Sequence, residues 1–215
     1  MRHKNSVELY RYWNELRGSA AAPARSSIAP AALGRLLPSV FLLDMAEDGD
    51  IVFRLAGSKL GTLHCAELRG LPIGELFAPD DRNRMQKILD AVHKENGVVV
   101  LDIAASRPGG DSVDMEMALF PLADEKTPIL GIATTFSVPD WAGLVPAVLE
   151  VRGLRYLNAD ARHAFLQSRP SIPVLRRQTD DHNAKNPNLQ VIRGKGEIGV
   201  SRPIRAFRVV DGGKT

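Results

Sequence analysis

Two short runs of alternating residues flank an Asp-Gly pair, and they restrict the fold more than any other feature of this chain. Phe41, Leu43 and Met45 alternate with Leu42 and Asp44, the period of two that a strand requires. Asp48-Gly49-Asp50 supplies a tight turn, because an Asp-Gly pair tolerates positive φ. Ile51, Phe53 and Leu55 then fall on one face, with Val52 and Arg54 on the other. The pattern predicts a β-hairpin. Gly57, Gly61, Gly70 and Gly74 recur after it, so the helices that follow must be short and closely packed.

A longer helix is predicted from Asp80 to Asn96. Met85, Ile88, Leu89 and Val92 lie at i, i+3, i+4 and i+7, and Asp80 and Asp81 sit where a helix N-terminus favours negative charge. Gly97 ends it. Three strands follow: Val98 to Ala105, Val113 to Leu119 and Ile129 to Val138, separated by polar turns at Pro108–Asp111 and Ala123–Pro128. Consecutive hairpins imply an antiparallel sheet. Ahead of the hairpin, Ser6 to Arg17 reads as an amphipathic helix capped by Ser6, and Pro30 to Leu37 as a second short one stopped at Pro38. Beyond Trp141 the pattern weakens. Leu144 to Leu157 is read as a helix interrupted by Gly153, Arg169 to Gly199 as mobile or extended, and Ile204 to Val210 as a terminal strand or docking segment.

Charge divides the chain. Residues 1–140 hold 15 Lys+Arg against 19 Asp+Glu, and residues 141–215 hold 13 against 6, so an acidic body precedes a basic extension. No apolar run approaches the roughly 18 residues needed to span a bilayer, and no apolar signal core follows the N-terminal charges. A single cysteine, Cys65, excludes an internal disulfide and fits a reducing compartment, so cytoplasm is the expected location.

The order strand, strand, short helices, longer helix, three antiparallel strands resembles that of a PAS domain. The stretch LRGLPIGELFAPDDRNRM (68–85) resembles the PAS segment in which a Gly-rich turn leads to a Leu-Phe pair and an acidic helix start. With LYRYWNELRG (9–18), LPSVFLLD (37–44) and FRLAGSKL (53–60), it is similar to a stand-alone bacterial PAS subfamily whose members are mostly uncharacterised. The resemblance covers residues 6 to about 140. It implies an α+β fold: a five-stranded antiparallel sheet with short helices and one longer helix on one face. Residues 1–37 would form an N-terminal helical segment and linker, 38–140 the sensor domain, and 141–215 a basic, partly mobile extension.

A ligand pocket is then expected between sheet and helices, with Phe53, Leu55, Met85, Leu89, Met115, Met117 and Phe136 in its wall. The opposite sheet face of such domains packs an N-terminal helix or a second subunit, which makes Leu9, Tyr10 and Trp13 candidate dimer contacts. Some PAS domains hold haem through a His on the long helix, where His93 stands, but one such residue is weak support for axial ligation, and His64 is no stronger. Flavin-binding relatives use an Asn-Cys-Arg context, whereas Cys65 lies in Leu-His-Cys-Ala, so flavin is not supported. The cofactor, if any, is left open.

The remaining chemistry is sparse. Asp102, Asp114 and Glu116 read as a solvated sheet face without a nucleophile beside them. No GxSxG, phosphate loop or metal-ligand spacing occurs, and Gly194-Lys195-Gly196 lacks P-loop spacing. The arginines and lysines of the extension are scattered, with few aromatics among them, which argues against nucleic acid. The expectation is a non-enzymatic regulatory module that binds a small apolar or amphipathic ligand, a homodimer partner or a signalling protein. The alternatives are an adaptor with a closed core and a nucleic-acid-associated factor acting through the tail.

Overall fold

In the computed structural model, residues 1–157 apart from 125 and 127 are described. The hairpin forms as the alternation demands: β1 (Val40–Met45) pairs antiparallel with β2 (Ile51–Ala56). β3 (Val98–Ser106), β4 (Ser112–Pro121), β5 (Ile129–Thr135) and β6 (Val148–Leu157) complete one sheet in the order β2-β1-β5-β4-β3-β6. Every neighbouring pair is antiparallel.

Six strands, not the expected five, build the sheet, because residues 148–157 form β6 on the free edge of β3 instead of continuing a helix from Leu144. The reason lies in β3. Nearly all of its nine residues are buried, on both faces, so its outer edge needs a covering strand. Gly153, read as a helix interruption, sits opposite Asp102, where an added Cβ would come within 3.3 Å of that carboxylate. The sheet therefore does not end near residue 140.

Among the described residues four α-helices accompany it: α1 (Lys4–Arg17), α2 (Pro30–Leu33), α3 (Ser58–His64) and α4 (Pro79–Glu95). His3, not Ser6, caps α1, its Nδ1 accepting from the Asn5 N–H. Ser6 is buried inside the helix. The second short helix tightens into a 3₁₀ turn over Gly34–Ser39, with Pro38 inside it. At Gly57 a Cβ would run into the backbone of Leu37 and Pro38, so the chain passes there only as glycine.

Two apolar clusters lie on opposite faces. The inner one joins Phe41, Leu43 and Phe53 of the hairpin to Leu60 and Leu63 of α3, Met85, Leu89 and Val92 of α4, and Met115, Met117 and Trp141. The outer one joins Leu9 and Trp13 of α1 to Val98, Ala118, Phe120 and Ile132. Trp13 also donates through Nε1 to the Pro121 carbonyl at 2.8 Å.

Candidate functional site

Of the seven residues expected to line a pocket, five meet on the inner face. Phe53, Met85, Leu89, Met115 and Met117 are all at most 1% exposed and pack into one continuous core. Leu55 and Phe136 do not join them. A bulge in the hairpin pairs Leu43 with Phe53 but Leu42 with Leu55, leaving Arg54 as the extra residue. That residue turns Leu55 to the outer face, where it is half exposed. β5 stops at Thr135, and Phe136 points outward, stacked edge-on to the His3 ring at 5.5 Å with the Arg2 guanidinium 5.2 Å above it.

Leu9 and Trp13 are fully buried beneath α1 within this chain, and Tyr10 stacks on Trp13 at 6.2 Å. Both Tyr10 and Trp13 also pack on Phe120 of β4, with ring centroids 6.4 and 5.9 Å away. His93 stands in the last turn of α4 and lines neither of the cavities described below.

A cavity of about 340 Å³ opens at the end of the sheet where α1 begins. One wall is α3, with Ser58, Lys59, Leu60, Thr62 and Leu63; the floor is Met115 of β4 and Ala133–Thr135 of β5. His3, Lys4 and Asn5 form the opposite lip, and Val138, Pro139 and Ala142 close the far side. Only Met115 among the expected seven lies in it. Its size is at the lower end for small-molecule sites, and an apolar floor with a few polar groups is the usual composition of one. Thr134 is buried, and its Oγ1 has no hydrogen-bond partner among the described residues. It stands opposite the outer-face Glu116 in the β4–β5 register, so its side chain turns away from Met115 and Ala133 and is sealed from the cavity.

The lip of the cavity is held by a charged clasp. Glu116, expected to face solvent, is fully buried on the outer face and accepts from the backbone N–H groups of Arg2 at 2.6 Å and His3 at 3.0 Å. Asp102 faces it across the β3–β4 register, a like-charge pairing that would be unfavourable alone. Arg155 of β6 bridges the two carboxylates at 2.8 and 3.3 Å, and Arg2 reaches Asp102 at 2.7 Å. Two guanidinium groups thus balance two carboxylates, and the start of α1 is tied to β3, β4 and β6 together. A second bulge, with Arg152 as the extra residue, sets Arg155 on this face. His3 itself titrates below its ordinary range, chiefly through burial, with Lys4 and Lys59 adding to the effect and Glu116 opposing it.

The loop that closes the cavity is fastened to α3. Gly143 N–H donates to the Thr62 carbonyl at 3.1 Å and Ala147 N–H to that of Leu63 at 3.0 Å. The buried His64 ring is 3.0 Å from the Ala147 carbonyl through Nδ1, and burial pulls its pKa down to about 4. A neutral ring donating from Nδ1 is consistent with both facts. Cys65 follows as an exposed residue in the left-handed conformation.

A larger groove of about 660 Å³ runs along the outer face of the hairpin, lined by Ile28, Leu33, Leu37, Leu42, Leu55 and Leu130 among others. Arg25, Ser26 and Asp124 bring polar groups to its rim as well. Sequence reasoning missed His3, Lys4, Asn5, Ser58, Lys59 and Thr134. One signal was readable: Lys4 begins a helix with no acidic residue in its first turn, a placement the helix dipole disfavours.

An antiparallel sheet with short helices and one longer helix over its inner face defines an α+β domain of the sensor type. A protein-family model described as PAS domain matches residues 1–134, and the chain belongs to that family of sensory and regulatory modules. No curated protein and no solved structure matches the chain. No helix among the described residues is long and apolar enough to cross a membrane.

Proposed function

We propose that this chain is a non-enzymatic sensory module in which a small amphipathic molecule occupies the cavity between α3, β5 and the start of α1. The observation that carries this reading is the cavity itself, whose apolar floor of Leu60, Leu63, Met115 and Ala133 is edged by the polar side chains of Ser58, Thr62, His3 and Asn5. The same cavity is bounded by His3, Lys4 and Asn5, so an occupant touches the segment from which α1 starts. A ligand shifts a conformational equilibrium only by its differential affinity for the two states. Here the two states are α1 clasped by Glu116 and α1 released. The receiver is a second copy of the chain or a signalling protein that reads the position of α1, and the single exposed cysteine fits a cytoplasmic setting.

The test is a thermal-shift screen of small carboxylic acids, alcohols and amides, repeated on Ala133→Leu and Ala142→Leu, which fill the cavity from two sides. Compounds should raise the melting temperature of the wild type but of neither variant, and should slow amide exchange over residues 4–17. Stabilisation that persists in both variants, or leaves exchange in α1 unchanged, would refute the site. The adaptor reading is favoured by one observation: the face between sheet and α4 is filled by Phe53, Met85, Leu89 and Met117, each at most 1% exposed.

A further inference from the structure

Resting on that reading of the cavity, we infer that its ligand is a small organic anion, a carboxylate on a compact apolar body, held by Lys4 and Lys59. Both side chains line the cavity, one from each lip, and both are exposed, so their ammonium groups can reach an occupant without unfolding anything. No Asp or Glu lines it. Neither lysine makes an ion pair among the described residues: the carboxylate one turn along from Lys4, Glu8, is engaged by Arg35. The nearest buried carboxylate, Glu116, is occupied by two backbone N–H groups and by Arg155, and its charge is balanced within the clasp.

Two positively charged side chains therefore stand at the mouth with no carboxylate among its lining residues, an arrangement that favours an anion. Lys4 is doubly misplaced, since it also stands at the positive end of the α1 dipole. Burial is the main cause of the lowered His3 pKa; Glu116 opposes it, and Lys4 and Lys59 add to it. The His3 Nδ1 accepts from the Asn5 N–H, so the neutral ring carries its proton on Nε2 and offers one more donor at the lip. Beneath the cations the floor turns apolar with Leu60, Leu63, Met115 and Ala133. A phosphate would find the charges but leave that floor in water, and an alkane would find the floor but not the charges.

Isothermal titration of the full chain with hexanoate and benzoate, against hexan-1-ol and benzyl alcohol, separates the terms. The carboxylates should bind about tenfold tighter than the matching alcohols, and more weakly as salt is raised. Lys4→Ala/Lys59→Ala, both surface changes, should bring each acid level with its alcohol and leave the alcohols unchanged. Equal binding of acid and alcohol to the wild type, or no effect of the double variant, overturns the anion while the cavity stands. Binding of none of the four overturns the anion and the ligand reading of the cavity together.

Discussion

Replacing Glu116 by Gln isolates the clasp that holds α1. The carboxylate is fully buried and accepts from the N–H groups of Arg2 and His3 at 2.6 and 3.0 Å. Hydrogen bonds to a charged acceptor contribute about 1.5–3 kcal/mol each. Glutamine keeps the shape and one acceptor oxygen, but turns an N–H toward the second donor, so one of the two bonds is lost and the other weakened. Relief of the repulsion between Glu116 and Asp102 returns about 0.5 kcal/mol, and loss of the partly exposed Arg155 contact at 3.3 Å costs about as much. The net destabilisation expected is about 2–3 kcal/mol, a fall of about 4–12 °C in melting temperature for a domain of this size. Two tryptophans allow the loss to be located: Trp13 lies beneath α1 in the outer cluster, and Trp141 lies in the inner one. In a Trp141→Phe background, Trp13 fluorescence followed through a urea titration should change in Glu116→Gln before the far-ultraviolet signal of the sheet does, because α1 opens as a local unit. Coincident transitions with a shift under about 0.5 kcal/mol would refute the clasp.

His64 gives a pH dependence of definite sign. Its folded pKa, about 4, lies below the ordinary value of 6.5, so the folded state disfavours the proton. Stability is complete above pH 6.5 and is lost as pH falls from there through 4, by about 3 kcal/mol at the lower limit. His64→Asn, which keeps a donor for the Ala147 carbonyl, should flatten that part of the urea-midpoint profile; an unchanged slope would count against it. Phe53→Ala should cost about 3–5 kcal/mol in chemical denaturation and Leu55→Ala less than about 1, although the two residues share a face by simple alternation. Equal losses would place Leu55 back in the core.

How much of this was legible follows from local periodicity. The hairpin, β3 to β5 and α4 carry strong two- or 3.6-residue patterns, and each formed within a few residues of expectation. Residues 148–157 misled, because Val148, Val151 and Leu154 also suit helical spacing; the open apolar edge of β3, a tertiary demand, decided for a strand. Leu55 misled because a one-residue bulge reverses facing and leaves no mark in the alternation itself. The cavity was nearly invisible. It is assembled from the start of α1, α3 and β5, which lie far apart along the chain, and of its lining residues only Leu60, Leu63 and Met115 stood out as apolar pattern. Glu116 looked like one acid among several on a polar face, since nothing local shows that residues 2 and 3 fold back onto it. The expectations for residues 169–199 and 204–210, and for the basic extension beyond Leu157, fall outside the described residues.

β6 also sets the shortest piece of this protein that can be handled in isolation. A fragment cut where the family match stops, at residue 134, would leave the β3 edge, Val98–Ser106, bare along its whole length and would remove Arg155 from Asp102 and Glu116. Unsatisfied amides beside that many aliphatic side chains recruit strands from other molecules. Such a fragment is expected to precipitate or form ladders of stacked sheets, and a stable piece of the chain should therefore run at least through Leu157.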